Sequence, residues 1–359
     1  LKVRFIVNNY FGSEGFIIKP ISKEHHIFKP ILILLMILII VALGLPSSIV
    51  LLSSKEPMPN PPLVDDQSID QDLNEESVIT VNVERSETDQ VESIPLEQYV
   101  ISVVASEMPA DFELEALKAQ ALAARTYIVQ YMMATGSLES DKTITDTVQH
   151  QVYRSEEELK ALWGADFNWK YEKISEAVTA TAGEILTYND SPITPAFFST
   201  SNGQTENAQD YWENELPYLI SVDSEWDKDS PRFLDQKSIP IHEVEQSLGI
   251  SINETVSSPR MTYTESDRVQ TVELGGQIFT GREIREKLDL RSTDFTIEQK
   301  DDHLVFTTKG FGHGVGMSQY GANGMAKEGK DYSDIVLHYY QGVDISTITE
   351  AIPTLVAKK

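Results

Sequence analysis

The chain has 359 residues, a formal charge of −27 and no cysteine. That length is enough for a large core and for two domains. The charge argues against nucleic acid or an anionic membrane surface as main partner, and the missing cysteines exclude disulfides, thiol catalysis and thiolate-bound zinc.

Residues 1–30 carry Lys2, Arg4, Lys19, Lys23 and Lys29 against Glu14 and Glu24, and read as a cytoplasmic segment. From Ile31 to Leu52 the chain is uncharged. At ~1.5 Å per residue that run spans a hydrocarbon core of roughly 30 Å. Basic residues lie before it and acidic ones after it. The positive-inside rule then expects a single-pass membrane anchor, with the N-terminus inside and everything after about Ser53 outside. A cleaved signal peptide is the competing reading, but the run is long for one and no clear A-x-A site follows. Residues 53–77 are acidic and proline-rich, with no cation after Lys55. They bury too little apolar surface to offset their ordering entropy, so a flexible stalk is expected.

Folded structure is expected over 78–350. Val78 to Val83 alternates like a half-buried strand. Pro95 starts a helix whose Leu96, Tyr99, Val100, Val103 and Val104 follow the 3.6 period, and Met108-Pro109 ends it. A second helix is predicted from about Glu113 to Met133. Leu114, Leu117, Ala121 and Ala124 form its apolar stripe, and Lys118 and Arg125 its basic one, ~10.5 Å apart along the axis. Lys160 to Ala182 reads as further helix, stopped by Gly183. Glu184 to Tyr188 is a strand with a turn at Asn189-Asp190. Pro195 to Thr200 is another, ending in the polar loop 201–205. About 236–309 alternates short strands and turns with a helix capped by Thr280, and suits an inserted small α+β subdomain. Two short helices close the chain. The class is α+β.

Glu107 is the first candidate for chemistry. Val103-Val104-Ala105 leads to it and Met108-Pro109 leaves it. Burial there penalises the charged form and lifts the carboxyl toward the range a general acid needs. The residues alone leave a second reading open, a helix-end carboxylate that bonds backbone or pairs with Lys118. Lys118 and Arg125 are either solvated charges or cations brought to the same cleft, where Arg125 would hold a carboxylate bidentately. Ser199, Ser201, Asn202 and Gln204 offer neutral hydrogen-bonding groups suited to sugar hydroxyls and acetamido groups, although a turn explains Asn202-Gly203 by itself. Tyr211, Trp212, Tyr218 and Trp226 are either sugar-stacking platforms or core. In the run from Gly310 to Ala322, glycines flank His313 at a loop tip, and Gln319 and Tyr320 follow. Neither nucleotide-binding loop pattern nor GxSxG appears, and the histidines lack ligand spacing.

Three segments carry a resemblance: LEQYVISVVASEMPADFELEALKAQALAARTY (96–127), FFSTSNGQTEN (197–207) and KGFGHGVGMSQYGANGMA (309–326). From about Ile79 to Ile345 the chain resembles the family that groups stage II sporulation D proteins with amidase enhancers of the bacterial cell wall. That resemblance implies a lytic transglycosylase. Such an enzyme cuts the glycan between N-acetylmuramic acid and N-acetylglucosamine, on peptide-stripped strands, and leaves a 1,6-anhydro end, here during engulfment in sporulation. It places the catalytic acid on Glu107. Lys118, Arg125, Ser199, Ser201, Asn202, Gln204, His313, Gln319 and Tyr320 are the expected substrate-binding residues. The implied partners are glycan strands, a wall amidase and its membrane recruiter, of the stage II sporulation P and M types. Some family members hold zinc with a His-Cys segment at the position of residues 146–153. Here His150 stands alone, and no metal or cofactor is expected. Two rival readings are a non-catalytic wall-binding amidase activator, and a muramidase using Asp210 or Asp223 as second acid.

Overall fold

A hairpin opens the described part of the chain. The computed structural model describes residues 79–135, 143–212, 214–252, 256 and 259–352. The expected cytoplasmic segment, membrane anchor and acidic stalk lie outside them. Strand β1 (Thr80–Arg85) buries Val81 and Val83 and pairs antiparallel with β2 (Gln90–Pro95). Asp89 turns the hairpin at positive φ. The short β3 (Ile144–Thr145) joins the other edge of β1 in parallel.

Helix α1 (Leu96–Glu107) follows β2 directly and buries Leu96, Tyr99 and every residue from Val100 to Ala105. Met108 adopts an extended backbone there. The following Pro109 offers no N–H to continue the helix, so it ends at Glu107. Helix α2 (Leu114–Thr135) differs from the expected two-stripe helix. It is buried nearly all round, with Ala116, Ala119, Ala121, Ala123 and Ala124 inside. Small side chains let α1, three later helices and two strands approach it from several sides. A helix apolar on every face becomes the centre of a core.

The expected helix from Lys160 to Ala182 is two helices, α3 (Glu156–Trp163) and α4 (Phe167–Ala180). Gly164, at φ 51°, breaks the run, and a Ser155/Glu158 capping box fixes where it starts. Strand β4 (Glu184–Tyr188) turns through Asn189 and Asp190, both at positive φ, into β5 (Ser191–Pro192).

The predicted strand 195–200 shortens to β6 (Phe197–Phe198), which pairs in parallel with Met317–Ser318 near the chain's end. Bridges Thr200–Phe311 and Glu206–Val315 extend that seam. Residues far apart in sequence thus form one wall. Between the two halves of the wall, residues from Ile239 to Phe306 build a separate apolar cluster. It lies on two three-stranded sheets and two short helices, one opened by a Thr280/Glu283 capping box. The main core runs from Val81 to Ile352. Ser318 caps helix Gln319–Lys327, Asp331 caps helix Tyr332–Tyr339, and Asp344–Thr347 pairs with the free edge of β4. Among the described residues no helix is long and apolar enough to cross a membrane.

Candidate active site

Glu107 ends α1 just where the helix leaves the core, so its backbone is fixed while its carboxyl meets open space. Oε1 accepts a hydrogen bond from the Val152 N–H at 3.1 Å. Oε2 receives none among the described residues. The Glu107 carbonyl accepts from Gln319 Nε2 at 3.1 Å, tying the helix end to the opposite wall. Desolvation raises the carboxyl's pKa above its ordinary value, against the opposing pull of the Val152 N–H and the nearby Arg154 charge. A half-buried acid of raised pKa keeps its proton to higher pH than a surface glutamate, the direction a general acid needs.

The 146–153 loop supplies Val152 and is itself pinned. Tyr153 stacks on Tyr99 with centroids 5.8 Å apart, and the Tyr99 hydroxyl donates to Gln151 Oε1 at 3.1 Å. His150 Nδ1 accepts the Thr145 N–H at 3.1 Å, and burial lowers the imidazole's pKa. These residues do not fit a metal. One histidine nitrogen is already engaged, and no three His, Asp or Glu converge among the described residues.

The second wall is β6 with the glycine run. Gly316 sits at φ 80°, and a Cβ there would lie 2.1 Å from the Ala196 carbonyl oxygen. Glycine is thus required by close backbone approach as well as by conformation. His313 packs among Phe198, Tyr211 and Trp212, with ring centroids 5.3–5.8 Å away. Its Nδ1 accepts the Val315 N–H at 3.1 Å. Desolvation, aided by the Arg285 and Arg268 charges, pushes its pKa down to about 3. His313 is therefore a neutral wall, unsuited to proton transfer at neutral pH.

Glu107 lies between two cavities. One, of about 380 Å³, has Tyr127, His150, Gln151, Trp212 and His313 in its lining. The other, of about 250 Å³, has Pro109, Ser199, Arg232, Gln319 and Tyr320. Phe197 borders both. Among the described residues no second Asp or Glu lines either cavity. Asp210 is exposed and accepts from Asn207 Nδ2, and Asp223 is exposed on another loop.

Of the expected site residues, Glu107, Ser199, His313, Gln319 and Tyr320 come together here. The others do not. Arg125 is 0% exposed and holds Glu97 through Nε at 2.9 Å and Nη2 at 2.7 Å. It also donates to the carbonyls of Glu184 and Val178. The cation expected in the cleft instead joins α1, α2 and α4 inside the core, because α2 is enclosed on all sides. Lys118 pairs with Glu115 at 2.7 Å and lies over the Tyr332 ring. Ser201 is buried and donates to Asp227 Oδ2, and Asn202 Nδ2 donates to the Ser266 carbonyl and Asp294. Gln204 gives its carbonyl to Arg268 and lines neither cavity. Of the four downstream aromatics, Trp212 lines the cleft, Tyr211 backs His313, Tyr218 is core and Trp226 packs on His338. Tyr127, His150, Gln151 and Arg232 are cleft residues that sequence reasoning passed over.

A family model described as stage II sporulation protein matches residues 84–188, which contain Glu107 and the 146–153 loop. The chain is 50% identical over 286 residues to the stage II sporulation protein D of Bacillus subtilis, covering 79% of this chain and 83% of that protein. The protein of the same name from Bacillus amyloliquefaciens is 50% identical over 287 residues, with the same coverage. The amidase enhancer of Bacillus subtilis is 29% identical over 301 residues, 68% of this chain and 40% of that protein.

Proposed function

The chain belongs to the stage II sporulation protein D family, and on that footing we propose that it is a lytic transglycosylase of peptidoglycan glycan strands acting during sporulation. One observation carries the reading: among the described residues Glu107 is the single carboxylate lining the cleft, and its pKa is raised. Ordinary glycosidases need two carboxyl groups, one as acid and one as base or nucleophile. A lone acid suffices when the nucleophile belongs to the sugar.

The protonated Glu107 gives its proton to the glycosidic oxygen as the bond to C1 of N-acetylmuramic acid breaks. The resulting carboxylate then takes the proton from the same sugar's C6 hydroxyl as O6 closes on C1. A 1,6-anhydro ring forms, no water is consumed, and Glu107 ends protonated again. The Val152 N–H steadies Oε1 in both states and leaves Oε2 to carry the proton. Desolvation shifts the carboxyl in the direction the first step needs.

The substrates are strands freed of their stem peptides. The domain works outside the membrane, anchored by the apolar run 31–52. Kinship with an amidase enhancer supports a wall amidase, with its membrane recruiter, as partner.

Mass spectrometry of peptide-free glycan digested by the full chain tests the activity. Anhydro ends are expected. Reducing ends would mean hydrolysis with a second acid, and intact bound strands would mean a non-catalytic amidase activator. Either outcome contradicts the proposal.

A further inference from the structure

We infer that Arg232 reads the substrate's negative charge, binding the free lactyl carboxylate of a muramic acid seated beside Glu107. The inference rests on the reading of the cleft as a peptidoglycan glycan site.

Among the described residues Arg232 is the one Lys or Arg lining the two cavities. Its guanidinium forms no ion pair and no side-chain hydrogen bond among the described residues. It lies 5.4 Å from the Phe311 ring centroid. Arg291 lies at the same distance from that ring, but its charge is taken up by Asp235 at 3.3 Å. Of two arginines on one aromatic ring, the neutralised one is not among the cleft's lining residues and the unneutralised one is. In a chain of net charge −27, an arginine left without a carboxylate is available to a ligand's.

The backbone around Arg232 is fixed. Its N–H donates to Ser230 Oγ at 3.1 Å, and that hydroxyl meets Thr200 Oγ1 at 3.1 Å, next to Ser199 of the cavity. The Phe233 carbonyl accepts the Gly310 N–H at 2.7 Å, which joins the same turn to the glycine run. The backbone that carries the side chain is thus held by the wall, while Arg232 itself is exposed.

Arg232 is not among the charges that shift Glu107, whose nearby cation is Arg154. It therefore does not hold the acid ionised, and the two groups act on different parts of the sugar. A stem peptide on the lactyl group turns the carboxylate into a neutral amide. Its removal uncovers an anion that a planar guanidinium takes in two parallel hydrogen bonds. Arg232 is on this account the residue that makes the cleft prefer stripped strands, the role the sequence pattern assigned to Arg125.

The test measures binding by the full chain in detergent, on a Glu107→Gln background, so that strands stay intact. The probes are peptide-free glycan and the same glycan with its lactyl carboxylates converted to primary amides. Arg232→Ala is expected to weaken binding to the acidic strands about tenfold, the size of one charge-assisted contact in a partly open site. It leaves the amidated strands within about twofold, and Arg232→Lys recovers part of the loss. The preference for acidic strands shrinks as salt rises, since the pair is partly exposed. Equal losses on both probes, or no loss on either, overturn the role of Arg232 whether or not the wild-type chain cleaves. A wild-type chain that binds acidic strands through Arg232 but leaves them uncut overturns the transglycosylase reading alone.

Discussion

Arg125→Ala is expected to destabilise the domain rather than empty its cleft of charge. The guanidinium is fully buried, bidentate on Glu97, and bonded to two backbone carbonyls. Removing one partner of a buried pair costs about 3–5 kcal/mol, because the other is left uncompensated. Glu97 is 37% exposed and keeps the Gly183 N–H, so water and that donor relieve part of its loss. The void left by the side chain adds to the cost in the other direction. About 3 kcal/mol is the expected net, or a fall in melting temperature of roughly 10 °C for a domain of this size. Urea and thermal unfolding of the variant measure it, with glycan binding measured below the transition. Glu97→Gln is the companion, and is also expected to destabilise, since it leaves the arginine buried beside a neutral amide. A variant with unchanged melting temperature and lost glycan binding would refute the reasoning and return Arg125 to the cleft.

Gly316→Ala is expected to lose several kcal/mol, since the new Cβ meets the Ala196 carbonyl at a φ that side chains rarely adopt. Cleavage falls with it because the β6 seam is one wall of the site, and retention of wild-type stability would contradict the close approach. His313 stays neutral from pH 8 down to well below 5, so its imidazole nitrogen shifts are expected to be flat across pH 5–8. A titration near 6.5 would return it to the list of acid–base candidates. For Glu107 the folded pKa is raised. The favourable effect of its protonation is therefore fully present below the unfolded pKa, and is lost as pH rises through the folded one. Glu107→Gln should accordingly gain stability over the wild type as pH rises across that window. A difference that ran the other way would mean a carboxylate stabilised by its partners.

The end of α1 was legible because Val-Val-Ala before Glu107 and Met-Pro after it state both the burial and the stop. The glycine run was legible for a similar reason, since no ordinary turn needs glycine so often. Arg125 was misplaced because a heptad spacing with Lys118 fits a surface stripe. The alanines that instead bring helices to every side of α2 look neutral in a pattern of apolar and charged positions. Ser201 and Asn202 were read as sugar ligands when their partners, Asp227 and Asp294, lie 26 and 92 residues away. No local pattern encodes such pairings. Arg232 carries no sequence signal at all. Its meaning comes from the seam that sets Ser230 against Thr200, and from its forming no ion pair among the described residues.

The account stands on Glu107 alone supplying and recovering the proton. Turnover of peptide-free glycan by Glu107→Gln tests this most directly, with strand binding and melting temperature measured on the same preparation. The expected result is cleavage at least about a thousandfold slower, the scale of losing general acid–base catalysis, with folding intact and strands still bound. Substantial turnover by that folded variant would contradict the account, because no other carboxyl group among the described residues lines the cleft.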